Sequence, residues 1–444
     1  MRTDYSFTKF NSNTINATQI CASSNRRILE NTDSSTDSPK AFWYHKRGRR
    51  KNEHTNKMKL SKNLERLGTE TAFKVLADAK KLEAQGKNII HLSLGQPDFK
   101  TPEHIVNATI KALKDGHHGY VLPNGTLECR ESVSRKIKKL YGAKISPERI
   151  IIMPGGKPTM FFAILMFGAP DAEIICPTPS FPIYESMINY TGAKAVPIDL
   201  LETKNFSIDP NKVLSLINNK TRLIILNNPQ NPTGGFIEKK IIDELAKVLK
   251  KYPNIAILSD EIYSRQIFDN KEMPTFFNYP DLYDRLIVLD GWSKTYAMTG
   301  WRLGWGVWPE SLIDHVVKMC VNNHSCVNAA IQFGGIAALD GPDDSIKLMM
   351  EKFHQRRKLI VDGLNSIKGI QCSLPGGAFY AFPNISGTGM NGKEFVKKCL
   401  NEAGVAIVPG TSFGKNAANY VRFSFAASKE NISMALDRIN KVIK

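Results

Sequence analysis

The run Leu286-Ile287-Val288-Leu289-Asp290-Gly291-Trp292-Ser293-Lys294-Thr295-Tyr296-Ala297-Met298-Thr299-Gly300-Trp301-Arg302-Leu303-Gly304 joins an apolar strand candidate to a polar segment. Four aliphatic residues in succession, without alternation, suit a strand buried on both faces, as in parallel sheets. Apolar runs of this kind recur at 149–153, 172–176, 194–198, 222–226 and 255–258, and most stop at Gly, Pro, Asn or Asp. Helix-length segments separate them, among them 103–115 and 127–141. Such alternation implies an α/β fold with a mostly parallel sheet sandwiched by helices. Sheets of this type bind ligands beyond the C-terminal ends of their strands. The polar clusters that follow the runs are therefore where chemistry is expected.

The remainder of the chain sets the frame. At 444 residues it exceeds the size at which a single core stops growing. Its 42% hydrophobic and 23% charged content is that of a globular enzyme. No window approaches the ~18 apolar residues of a spanning helix, so no membrane segment is expected. Seven scattered cysteines without a Cys-x-x-Cys pair argue against a zinc site or disulfide framework, and no metal is expected. Residues 1–57 carry +6 of the net charge of +18 and few periodic apolar positions, which predicts a disordered basic extension. The run His45-Lys46-Arg47-Gly48-Arg49-Arg50-Lys51 suits a nucleic-acid contact or an address as well as a solvated tail. No helix-turn-helix pattern accompanies it, so a nucleic-acid partner is not expected. Cytoplasmic location is expected, or mitochondrial if this segment is a presequence, against which Asp4, Glu30, Asp33 and Asp37 weigh. A start at Met58 is the other reading of the same segment. Beyond it, the pattern predicts an arm and part of a smaller domain over 58–99 and a large domain over 100–335. A small α+β domain is expected over 336–444, with strands at 378–382 and 420–424. The segment Ile89–Leu94 is a further strand candidate, ending at Gly95.

Five clusters carry candidate chemistry. Lys294, beyond the strand 286–289, becomes an amine nucleophile if it is desolvated, and Arg302 offers a fork for a phosphate. An aldehyde-binding lysine with a phosphate clamp is what pyridoxal phosphate requires. Gly155 and Gly156 expose backbone N–H groups before a helix whose first turn takes Pro158, a geometry that attracts anions. In Asn227-Asn228-Pro229-Gln230-Asn231-Pro232-Thr233-Gly234-Gly235 two Asn-Pro steps fix the backbone and hold Asn231 at the sheet edge. Asp260, in Ser259-Asp260-Glu261-Ile262-Tyr263, is a carboxylate at a buried strand end that needs a partner, and a pyridinium N–H would serve. Tyr263 can reach the same ring oxygen as Asn231. Arg422, on the alternating strand Val421–Phe425, suits a substrate carboxylate. Each has a plainer alternative: a surface lysine and arginine, tight turns at 155–156 and 228–235, a helix cap for Asp260, and solvent exposure for Arg422.

In family order, Asn-Pro-x-Asn-Pro-Thr-Gly, Ser-Asp-Glu-x-Tyr, Ser-Lys-x-x-x-Met-Thr-Gly-Trp-Arg-x-Gly and Val-Arg-x-Ser resemble the class I/II aminotransferases of fold type I. The resemblance runs from about Arg66 to the C-terminus and is aspartate-aminotransferase-like. It implies a Schiff-base and proton-shuttling role for Lys294, pairing of Asp260 with the cofactor's ring nitrogen, and binding of its O3′ by Asn231 and Tyr263. It also implies phosphate binding by the backbone of Gly156 and Lys157 and by Arg302, with Tyr120 lent across a homodimer interface. Phe181 would stack on the ring, and Arg422 with the backbone of Gly95 would hold the substrate α-carboxylate. The implied reaction moves an amino group between an L-amino acid and a 2-oxo acid such as 2-oxoglutarate. Lys157 tilts the reading toward aspartate or glutamate. Aromatic or alanine-type transamination and β-eliminating carbon–sulfur lysis are the alternatives. The chain departs from many relatives at Gly291, where they carry a phosphate-binding serine.

Overall fold

The computed structural model describes residues 58–443; the expected basic extension, 1–57, lies outside the described residues. Twelve strands are described. They are β1 (Ile90–His91), β2 (Ile150–Met153), β3 (Glu173–Thr178), β4 (Lys194–Asp199), β5 (Thr221–Asn227), β6 (Ala256–Asp260), β7 (Leu286–Gly291), β8 (Gly304–Val307), β9 (Tyr380–Ala381), β10 (Val405–Ala406), β11 (Val408–Pro409) and β12 (Val421–Ser424). Seven form the central sheet, in the order β2-β8-β7-β6-β5-β3-β4. All neighbouring pairs are parallel except those of β8, which runs antiparallel to both β7 and β2. Helices surround this sheet, among them α2 (Glu103–Lys114), α3 (Leu127–Tyr141) and α4 (Lys157–Phe167), whereas α1 (Thr71–Glu83) packs beside β10 and β11.

Unbroken apolar runs work here because both faces of the sheet are covered. Ile150, Ile152, Ile224, Leu226, Ile257, Leu286 and Val288 point into one core. Their alternating neighbours Ile151, Met153, Leu223, Ile225, Leu258, Ile287 and Leu289 point into a second. Period-2 side-chain alternation thus sorts one apolar string onto two layers. The edge strand β4 differs: Lys194, Pro197 and Asp199 face solvent, and its proline sits where a missing N–H is tolerated.

Strand β8 escaped the sequence reading. Gly304-Trp305-Gly306-Val307 contains two glycines, which weaken any strand signal. The fold needs them, since a Cβ on Gly306 would lie 2.6 Å from Trp308 Nε1 and 2.7 Å from Thr159 Cγ2 on α4. The expected strand over 89–94 pairs only at Ile90–His91, and the short β10 and β11 were not foreseen.

A third core takes Ile90 and Leu92 together with residues from Met349 onward, including Phe353, Phe379, Phe395, Phe423 and Phe425. The long helix Asp344–Asn365 anchors the neighbouring loops with two consecutive arginines. Arg356 makes a two-pronged pair with Asp98 at 2.7 and 2.8 Å, and Arg357 does the same with Asp269. Both guanidinium groups are buried, and planar fork pairing is the geometry in which such pairs are strong. The first pair fixes the segment from Ser93 to Phe99 that follows β1. Among the described residues no helix is long and apolar enough to cross a membrane. No acidic, His or Cys cluster among them is placed to hold a metal, and the six cysteines within the described residues are free.

Candidate active site

Register brings the clusters together. Asn227 at the end of β5 lies beside Asp260 at the end of β6, which lies beside Leu289 on β7. Gly291 pairs with Gly304, and Gly304 also pairs with Met153 at the end of β2. Because β8 is antiparallel, its beginning, just after Arg302, falls on the same sheet edge as the ends of the others. A cavity of about 600 Å³ opens there. It is lined by Gly95, Gly156, Lys157, Phe181 and Asn231, and by Asp260, Tyr263, Lys294, Arg302 and Arg422. Tyr120 is not among its lining residues and is 92% exposed.

Lys294 sits in the four-residue helix Trp292–Thr295, and its Nζ donates to the Gly95 carbonyl at 2.5 Å. Its backbone carbonyl accepts from Gln266 Nε2 at 2.8 Å, which ties the lysine to the turn after β6. Desolvation lowers its ammonium from 10.5 to about 8, and the nearby charges of Arg422 and Arg302 add to the effect. A surface lysine in a loop is thereby excluded.

Asp260 is buried and accepts from Tyr184 Oη at 2.6 Å and from the Ile262 N–H at 3.2 Å. Burial raises its carboxyl from 3.8 to about 6, against the pull of the Tyr184 hydrogen bond, the Ile262 N–H and the Lys294 charge. It caps a turn, not a helix. Asn231 is fixed from both sides: its N–H donates to Asn227 Oδ1, and its Oδ1 accepts from Arg422 Nη1 at 2.9 Å. With that oxygen occupied, the amide's free function is its NH₂ donor, the type a phenolate oxygen needs. The Asn228–Pro229 and Asn231–Pro232 peptide bonds in this loop are cis, and the next helix begins only at Lys239. Tyr263 Oη lies 2.7 Å from Tyr380 Oη in a buried pair, and burial raises the Tyr263 phenol well above its usual range.

Arg422 is buried, contrary to the exposed alternative, and stacks 4.6 Å from the Tyr380 ring centroid and 4.8 Å from that of Phe413. Its second terminal nitrogen donates to the Ser93 carbonyl, and its Nε is buried without a partner. Among the described residues no carboxylate pairs with it directly: its hydrogen bonds go to neutral acceptors, and Glu70 acts on it only at longer range. A buried cation in that condition favours an anionic ligand.

The anion-binding end is built from backbone. Gly156 caps α4 without a side-chain hydrogen bond, leaving its own N–H and that of Lys157 open at the positive end of an 11-residue helix, while Thr159 N–H donates to the Gly156 carbonyl. Arg302 lies beside this turn, donating to Pro154 O at 3.3 Å and Thr299 O at 2.7 Å. Ser293 lines the same cavity. At Gly291 an added Cβ would stand 2.8 Å from Gly304 Cα, so a serine there would press on β8. A Cβ on Gly304 would in turn stand 2.4 Å from the Gly155 carbonyl carbon and 2.5 Å from Gly156 N. Gly304→Ala is therefore expected to lower stability by about 1–3 kcal/mol and to weaken anion binding at this turn. Thermal melts with and without phosphate check both effects; an unchanged melting point would overturn them.

Residues 87–439 match the model of the family described as aminotransferase class I and II. An aspartate aminotransferase of Pyrococcus horikoshii is 38% identical over 361 residues, 81% of this chain and 91% of that protein. This chain belongs to the class I and II aminotransferases. A Thermococcus litoralis relative named aromatic-amino-acid aminotransferase 2 is 35% identical over 365 residues, covering 81% of this chain and 93% of that one. Among solved structures, the aspartate aminotransferase from Rhizobium meliloti superposes with a TM-score of 0.83 at 31% identity, over 87% of this chain and 99% of its own. Class I and II aminotransferases act on an amino acid and a 2-oxo acid, so the cavity of this transaminase has to receive both.

Three side chains that line this aminotransferase's cavity, and Asp290, which does not line it, were not found from the sequence. Tyr184 reaches Asp260 across 76 residues, and Glu70 reaches Lys157 across 87. Tyr380 pairs with Tyr263 across 117 residues. Asp290, beside Gly291, is held by Ser264 Oγ at 2.8 Å and by the Gly291 N–H at 2.6 Å, and burial raises it to about 7. Its place between a strand and the Lys294 segment was the available signal.

Proposed function

We propose that this enzyme is a pyridoxal-phosphate-dependent aminotransferase acting on aspartate-type donors with a 2-oxo acid acceptor such as 2-oxoglutarate. The observation that carries the reading is Lys294: an amine lowered toward neutrality, in one cavity with a buried carboxylate, Asp260, and two cationic anion seats. The residues present fit the cofactor. The open N-terminus of α4 at Gly156 and Lys157, together with Arg302, would take its phosphate. Phe181 would lie against the ring, Asn231 and Tyr263 would donate to its phenolate oxygen, and Asp260 would meet its ring nitrogen. Tyr120 would reach the phosphate site of a second copy in a homodimer, which its exposure supports. Pyridoxal phosphate would supply an electron-withdrawing ring and a carbon that carries the amino group between the two substrates.

The chain's own residues do the rest. Arg422 and the Gly95 backbone hold the substrate α-carboxylate, which orients Cα. Lys294, as the neutral amine, takes the Cα proton and returns one on the other side of the transfer. Asp260 stays ionised and stabilises positive charge on the ring nitrogen. The acidic preference draws support from Lys157 in the cavity and from the aspartate aminotransferase relatives. A panel of amino donors with 2-oxoglutarate, each read as kcat/KM, tests it. Release of pyruvate and ammonia without any acceptor would point to the lyase alternative.

The lowered Lys294 ammonium sets a pH dependence. With a pKa of about 8, ~10% of the amine is neutral at pH 7, against about 0.03% for an ordinary lysine at 10.5. Cofactor loading onto the cofactor-free chain should therefore rise steeply with pH and level off above about 8. Arg422→Gln removes a positive neighbour that depresses this ammonium, so the midpoint should move upward. Stopped-flow absorbance across pH measures both; a midpoint near 10 in the unaltered chain would overturn the assignment.

A further inference from the structure

The cavity has two cationic poles in different states. Arg422 hydrogen-bonds only neutral acceptors, Asn231 Oδ1 and the Ser93 carbonyl, whereas Lys157 Nζ is already bonded to the Glu70 carboxylate. The same ammonium stands 5.4 Å from the Phe181 ring centroid. Glu70, Lys157 and Phe181 all line the cavity. A substrate α-carboxylate can bind Arg422 without displacing anything. A second carboxylate on the substrate side chain has to compete with Glu70 for Lys157. A neutral or aromatic side chain leaves the pair closed and meets the Phe181 face and the aliphatic stem of Lys157.

Glu70 also has a second seat. It occupies the cap position of α1 but makes no side-chain hydrogen bond there. A carboxylate that leaves Lys157 can turn onto the open N–H groups of that 13-residue helix, where the helix dipole favours negative charge. Glu70 is only 17% exposed against 46% for Lys157, so leaving it unpaired in the cavity mouth would be costly. The α1 terminus removes that cost.

We propose that Glu70 is a specificity-determining residue: it masks Lys157 for uncharged substrates and yields it, moving to the α1 terminus, when a dicarboxylate enters. One cavity thereby admits two side-chain classes, the dicarboxylates of the proposed reaction and uncharged substrates beside them. This inference rests on the proposed transamination, with Arg422 as the α-carboxylate seat.

The test compares two unreactive probes on the cofactor-loaded full chain, maleate for the dicarboxylates and 3-phenylpropanoate for the uncharged class. Equilibrium titration gives their affinity ratio without turnover. Glu70→Gln should raise the maleate-to-phenylpropanoate ratio about tenfold, and Glu70→Ala should do the same if the amide alters packing. In a Lys157→Gln background the effect of Glu70→Gln should vanish. A ratio within twofold of the original in both Glu70 variants, at unchanged melting temperature, would overturn the proposal. So would a tenfold effect that persists without Lys157. If the unaltered enzyme instead transfers no amino group from any donor, the function reading fails, while the probe ratio still judges Glu70 separately.

Discussion

Replacing Lys294 with alanine is expected to lower transamination turnover by about 10⁴-fold or more while leaving the fold intact. The size follows from removing a positioned general base and a covalent attachment point together, since base catalysis alone contributes about 10²–10⁴. The fold is expected to survive because Lys294 contributes one side-chain hydrogen bond, to the Gly95 carbonyl, and its ammonium is disfavoured by burial. Removing a desolvated charge costs little stability and can increase it. Borohydride treatment followed by peptide mass spectrometry should find the cofactor attached at Lys294 in the unaltered enzyme and nowhere in the variant. Lys294→Arg keeps the charge but not the neutral amine, and should be as inactive as alanine. Turnover within tenfold of the original in either variant would end the assignment.

That Lys294 was legible at all came from where it stands relative to β7. A local pattern, an apolar run ending on polar residues, carries both the strand and the position of its end, and in a parallel sheet strand ends are where ligands bind. Asp260 and Asn231 were legible for the same reason. The partners that tune them were not, because they are set by tertiary contacts with no local trace. Tyr184 reads as one more apolar residue of the helix Ile183–Thr191, yet its hydroxyl holds the Asp260 carboxyl below where burial alone would put it. Arg422 illustrates the limit from the other side. On an alternating strand its side chain faces opposite Phe423, which predicts solvent unless something covers it. Tyr380 and the Ser93 segment, both far off in the chain, cover it together with the nearer Phe413. Lys157 tilts the sequence reading toward an acidic substrate side chain, and the structure pairs it with Glu70. Strand β8 was hidden because close approach of α4 to the sheet demands glycine where a strand signal would want a β-branched residue.

The second large effect concerns Asp260. Its carboxylate is buried, and the Lys294 charge is the cation that helps keep it ionised in the cofactor-free chain. A protonated ring nitrogen would be a closer partner and would hold it ionised to lower pH. Asp260→Ala removes the negative charge while leaving space, and is expected to lower kcat by about 10³-fold with a much smaller change in cofactor loading. Asp260→Asn should be nearly as damaging, since an amide cannot keep the ring nitrogen protonated. Tyr184→Phe separates charge from hydrogen bonding. The Tyr184 hydroxyl stabilises the ionised form, so its loss should raise the Asp260 carboxyl and shift the acid limb of kcat/KM upward. At pH 8 the Tyr184 variant should keep most of its activity, because Asp260 is ionised there with or without the hydroxyl. An acid limb that stays in place in Tyr184→Phe, or an Asp260→Asn enzyme within tenfold of normal, would show that this carboxylate is structural and that charge at the ring nitrogen is set elsewhere.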